Sequence, residues 1–131
     1  RGVRIRRGAM GFLHNAIVTE FASDAVRVED LPSESLGVTT IIDNMHAYRN
    51  FANWEQEAKD IFFESGNYNL KETPVDGVNR ENFVGTASSP YNPTAMGSWF
   101  SSAPYIGAVN AQNDWTAGGS WFRNKDGSFR N

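Results

Sequence analysis

Three groups of side chains in this sequence carry chemistry worth weighing. Asn110, Asn113 and Asp114 place amide and carboxylate oxygens close together in the run NAQND. Ca²⁺ is the metal such hard oxygen donors suit, although the same residues also build tight turns. Trp99, Trp115 and Trp121 stand around that run. Their rings could stack on sugar faces; equally, one aromatic buries about 150–250 Å² and can pin an irregular segment to a core. The third group is Asp24, Arg27, Glu29 and Asp30. It sets acids beside a base on a strand-like stretch, which is also the ordinary make-up of a solvated strand face.

The remaining inventory is sparse. The two histidines, His14 and His46, are far apart in the chain and belong to no H-E-x-x-H pattern. There is no Cys, so disulfides, thiolate metal sites and Cys nucleophiles are excluded. No G-x-S-x-G elbow surrounds a serine, GSWFSS at 97–102 included. No G-x-x-x-x-G-K-[ST] follows Gly8 and Gly11. These residues name no reaction, and no cofactor is expected beyond the Ca²⁺ that the Asn110–Asp114 run suits.

Bulk composition narrows the partner class. The net charge is −3 over 131 residues, which disfavours a nucleic-acid binder; the one basic cluster is Arg1, Arg4, Arg6 and Arg7. Aromatics reach 13%, too many for a disordered chain. No apolar run approaches the roughly 18 residues that a membrane-spanning helix needs, and no signal peptide is evident. The chain starts inside a strand-like alternation, which reads as a mature or cut-out piece.

The elements that must position these groups repeat. Val3-Arg4-Ile5 returns as Val26-Arg27-Val28 at an offset of 23, and Leu13-His14-Asn15 matches Ile42-Asp43-Asn44 in character at an offset of 29. Short β-prone runs separated by Gly, Asn, Asp and Ser at such a period fit coils that cannot bury their inner faces alone and therefore stack. Asn15 and Asn44 fall at turns, where Asn tolerates the left-handed region and its amide can bond the next coil. In that frame Val3, Ile5, Val26 and Val28 point inward, while Arg27 and Glu29 point out.

The second half differs. A helix is expected near 53–62, with Asn53 as its N-cap and Trp54, Ala58, Ile61 and Phe62 as one apolar stripe; Ile61–Phe63 also reads as a short strand. From Thr73 onward, prolines and glycines allow no long regular element. Persistent aromatics nevertheless argue for an ordered segment wrapped on the coils. Tyr105, Ile106 and Val109 would hold its end down, residues 110–114 would turn, and Trp115 would lock it.

The stretch Tyr105-Ile106-Gly107-Ala108-Val109, followed by Asp114 and Trp115-Thr116-Ala117-Gly118, resembles the C-terminal motif of exported bacterial right-handed parallel β-helix repeat proteins. Gly119 departs from the pattern, which usually has an aromatic there. Residues 8–30 look like a late coil of the same proteins. The resemblance implies a mainly β fold: terminal coils of a right-handed parallel β-helix (1–50), a helix and connection (51–72) and an irregular wrap (73–131). The whole would be a single domain or the C-terminal part of a larger β-helix. It implies a secreted or cell-surface setting in bacteria. The expected role is a structural or surface-interaction module that stacks edge to edge on further coils or neighbouring subunits, as in a filament. Such folds also include polysaccharide lyases, which take a proton α to a carboxylate with an Arg or Lys base. The alternative is therefore a carbohydrate-binding or lyase-like β-helix fragment acting on polysaccharide, for which Arg27 with Asp24, Glu29 and Asp30 is the nearest material.

Overall fold

The computed structural model describes residues 1–32, 35, 37–79, 82–117, 124, 126 and 128. Its strands are β1 (Val3–Arg6), β2 (Gly11–His14), β3 (Ile17–Thr19), β4 (Asp24–Glu29), β5 (Thr40–Asp43), β6 (Met45–Tyr48), β7 (Ala52–Trp54) and β8 (Leu70–Lys71). Among the described residues all five strand pairings are parallel, and they build three sheets in the orders β1-β4-β7, β2-β5 and β3-β6-β8. Each strand pairs with the one a coil away rather than with its sequence neighbour, which is the topology of stacked β-helix coils.

The two offsets seen in the sequence are the sheet registers. Val3 pairs with Val26, Arg4 with Arg27 and Ile5 with Val28. Leu13 pairs with Ile42 and His14 with Asp43. The longer second offset arises because residues 30–39 connect β4 to β5, where the first coil has only residues 7–10 between β1 and β2. Alternation is clean in β1 and β5, whereas every residue of β6 is buried. Val26, Val28, Ile42, Met45 and Ala47 form the interior of the stack, at most 1% exposed. Full burial of a side chain such as Val or Ile contributes about 1.5–3 kcal/mol.

The corners repeat as well. Arg7 and Asp30, Asn15 and Asn44, and Glu20 and Arg49 all have positive φ, between 52° and 65°. Each pair is separated by the offset of its sheet, so one left-handed residue turns the chain at each corner of both coils. Asn suits this conformation; Arg and Glu are held in it at a cost of roughly 1–2 kcal/mol each.

The third coil is incomplete. After β7 the chain forms α1 (Gln56–Ala58), which continues as a π-helical turn over Lys59–Phe63. This corrects the expected helix. Asn53 is not its N-cap but lies within β7; Glu55 caps it, accepting from the Glu57 and Ala58 amides. Pairing of Val26 with Trp54 puts strand where the expected helix would begin. The apolar stripe still packs: Trp54, Ala58 and Phe62 are buried in the core cluster, and Ile61 packs against it. α1 packs against β4, and Ala58 and Phe62 are fully buried there, so the helix closes that end of the stack.

Among the described residues from 73 to 117 the chain is irregular apart from a 3₁₀ turn at Pro93–Met96 and isolated bridges such as Ser88 with Tyr105. It covers the outer face of the third sheet. There His46 Nδ1 lies 2.8 Å from the Thr73 carbonyl, and Tyr48 is buried.

Candidate functional site

Two regions of the molecule gather exposed, chemically distinctive side chains: the first-coil end of the stack and the loops of the wrap. At the first-coil end, β1, β2 and β3 each pair with a single neighbour. Among the described residues no strand pairs with their other edges, whose N–H and C=O groups are open to a partner. Val3, Ile5 and Leu13 are only half-buried, although their register mates Val26, Val28 and Ile42 are sealed. With Met10 and Phe12, which are 74% and 53% exposed, they line an apolar hollow of 310 Å³.

The outer face beside that hollow is charged. Arg4 and Arg27 both donate to the Glu29 carboxylate, Arg27 also reaches Asp24, and Arg1 lies 3.6 Å from Asp24. The hydrogen bond from Arg4, reinforced by Arg27 against a smaller opposing effect of burial, holds the Glu29 carboxyl below its ordinary range. Arg27 is held above its own range first by its hydrogen bond to Glu29. Asp30 stands apart at the corner, with φ 55°. The group expected as an acid–base set is therefore an ion-pair ladder between the first two coils. Arg6 and Arg7 have no carboxylate within ion-pair distance among the described residues.

Asn15 joins the wrap to the coils. Its amide donates to the Tyr91 and Ala103 carbonyls, both at 3.1 Å, and its Oδ1 accepts from Ser89 at 2.6 Å. The Asn15 carbonyl accepts from the Gly107 N–H at 2.6 Å. Gly107 has φ 102°, and a Cβ there would stand 3.0 Å from Ile17 Cδ1; only glycine lets the wrap approach so closely. The expected Asn ladder is thus divided. Asn44 accepts from Asn69 at 3.0 Å and forms the inter-coil rung, whereas Asn15 is turned to the wrap.

His14 stacks on Tyr91 with centroids 3.8 Å apart. Burial lowers its pKa, with Asp43 opposing. His14 and His46 lie on different sheets, and among the described residues no three His, Asp or Glu side chains are grouped to hold a metal. A cleft of 550 Å³ lies between the wrap and β3, lined by His14, Ile17, Thr19, Val78, Phe83 and Ala108 among others.

In the 110–114 run, Asn110 Oδ1 accepts from the Gln112 and Asn113 amides, and Asn113 donates to the Tyr105 hydroxyl. Asp114 accepts from Thr116 through both amide and hydroxyl. All three side chains are engaged in closing the turn. Tyr105, Ile106 and Val109 are buried beneath it. Trp115 is 58% exposed, yet its indole N–H donates to the Ala108 carbonyl, which clasps that edge to the wrap. Trp99 is 88% exposed and meets Phe100 edge-on. Its loop is held by Asn92, which caps the 3₁₀ turn and bonds Ser102 and Ala103. Trp121 lies outside the described residues.

Asn15 as the coil-to-wrap anchor was missed as such; an Asn at a turn announces the left-handed conformation but not which neighbour its amide meets. The half-buried state of Val3 and Ile5 was likewise hidden, because alternation says that a side chain points inward and not whether another coil covers it.

These sheets and corners define a class: a mainly β protein of parallel β-helix coils with a closed end and an open end. No protein-family model, curated protein or solved structure matches the chain.

Proposed function

We propose that the chain is a structural, surface-interaction β-solenoid module, exported to the cell surface, whose first-coil end is covered by a further β-coil. The observation that carries this reading is the contrast within one register. Val26, Val28 and Ile42 are sealed while Val3, Ile5 and Leu13, the equivalent residues one coil earlier, are open beside unpaired backbone. An exposed apolar edge of this kind is a template for another strand. The helix at Gln56–Phe63 closes the opposite end, which favours a terminal position in an assembly over an interior one. The extracellular setting is supported by the likeness of Tyr105–Gly118 to the closing motif of exported β-helix proteins.

Hydrogen exchange on material from the native source tests this. Val3–Arg6 amides are expected to be protected there and to exchange rapidly in the isolated chain. Ile5→Lys, which turns a charge toward the missing coil, is expected to remove that protection while the chain stays folded. A native species that is monomeric, no larger than this chain, and fast-exchanging at Val3–Arg6 overturns the reading.

A second reading, recognition of a polysaccharide, is favoured by Trp99. A ring 88% exposed on a loop tied at both ends by Asn92 is costly unless it meets a ligand, and its face is free to stack on a pyranose. Glycan-array binding that survives Trp99→Ala would remove this reading.

A further inference from the structure

We infer that the β-coil which covers the first-coil end carries acidic side chains at the outward positions of its strand over β1. This rests on the assembly reading above and names the partner's chemistry. Coil-on-coil stacking already present in the molecule supplies the template. Where the second coil seats on the first, apolar residues meet inside, and outside the second coil contributes Asp24 and Glu29, which engage Arg1, Arg4 and Arg27. At the exposed edge the same alternation continues upward: Val3 and Ile5 face the hollow, and Arg4 and Arg6 face out.

The charges at that edge are not balanced from below. Arg4 is engaged with Glu29, but Arg6, although in register with Glu29, is not bonded to it, and Arg7 at the adjoining corner is also without a carboxylate among the described residues. A strand laid on β1 brings its outward side chains to within roughly 4.5–5.5 Å of these guanidinium-bearing positions, where opposite charges stabilise and like charges oppose pairing. A second copy of this chain meeting β1 about a two-fold axis would crowd Arg4, Arg6 and Arg7 against their own equivalents. A strand alternating apolar and acidic residues satisfies both faces at once. Inside, its apolar side chains fill the 310 Å³ hollow between Ile5, Met10 and Phe12.

Two synthetic strands test this, one alternating Val with Glu and one alternating Val with Lys, titrated into the isotope-labelled chain at low and high salt. The Glu strand is expected to shift the Val3–Arg6 amides and to bind about tenfold more tightly than the Lys strand. The preference should shrink at high salt and in Arg6→Gln, whose side chain has no internal partner to lose. Equal binding of both strands overturns the inference and leaves the assembly reading standing. Binding of neither, with sedimentation showing a dimer that protects Val3–Arg6, assigns the edge to a second copy and also overturns it. Binding of neither by a chain that stays monomeric removes inference and assembly reading together.

Discussion

Replacing Asn15 should free the wrap without unfolding the coils. Asn15→Ala removes three side-chain hydrogen bonds, to Tyr91, Ala103 and Ser89, each contributing about 1 kcal/mol net in a half-buried setting. It also leaves a Cβ-bearing residue without a local polar compensation at φ 59°, which adds about 1 kcal/mol. The sum is about 4 kcal/mol, or roughly a thousandfold in an opening equilibrium. Because those bonds join the wrap to the coil and not coil to coil, the cost falls on one cooperative unit. Amide exchange at Ser89, Ile106 and Gly107, whose N–H groups bond Pro104, Ala87 and Asn15, should accelerate toward that factor. The amides of β4 and β6 should keep their protection. Asn15→Gly separates the two causes: it loses the same bonds but tolerates positive φ, so its loss should be about 1 kcal/mol smaller. Asn44→Ala is the control, since its inter-coil partner is Asn69, and it should loosen β8 while sparing the wrap. A loss below about 1 kcal/mol for Asn15→Ala, or a loss shared equally by coil and wrap amides, would refute the view of Asn15 as the anchor.

Phe62 is fully buried under the closed end, and Phe62→Ala should cost about 3–5 kcal/mol in denaturant unfolding; a loss under about 1 kcal/mol would mean that the helix does not close the core. Gly107→Ala forces a side chain to 3.0 Å from Ile17 at φ 102° and should raise exchange at Gly107 and Ile106 with little change in β4, as read by hydrogen exchange. Glu29 has a folded pKa below its unfolded value because Arg4 and then Arg27 bond its carboxylate. Its contribution is therefore present above the unfolded carboxylate range and lost as pH falls through the depressed folded value. Glu29→Gln should flatten that acid limb, and added salt should weaken it; an acid limb unchanged in Glu29→Gln would contradict the ladder.

The parts legible from sequence are those set by alternation. Val3 over Val26 and Leu13 over Ile42 follow from matching two-residue periods, because a slip by one would turn Arg4 and Arg27 into the core. What alternation does not carry is the choice between a strand and a helix where both bury the same residues. Trp54 satisfies a helical stripe with Ala58 and Phe62, yet its backbone pairs with Val26; the tertiary partner decided the conformation. The wrap shows the same limit. Buried Tyr105, Ile106 and Val109 were legible as anchors from their apolar bodies, whereas Trp115 bonds Ala108 while staying 58% exposed, an outcome set by loop geometry that no local pattern encodes.

The two ends of the stack have different fates for one physical reason. A coil is stable only when something covers both its faces. At the far end the chain itself supplies that cover: Glu55, still extended and bonded through its N–H to the Val26 carbonyl, caps α1, and Ala58 and Phe62 then seal the interior. The widened turn over Lys59–Phe63 keeps Lys59 beside Glu64 at 3.1 Å outside while Phe62 stays inside. At the first-coil end Met10 and Phe12 lie open beside the hollow they line, and Arg6 and Arg7 carry charge that no carboxylate among the described residues meets. A helix cannot satisfy the strand edges there, since its own backbone groups are already paired within it. A strand offers unpaired N–H and C=O groups at the right spacing, and that requirement, more than the apolar area, is what favours the proposed further β-coil at the first-coil end.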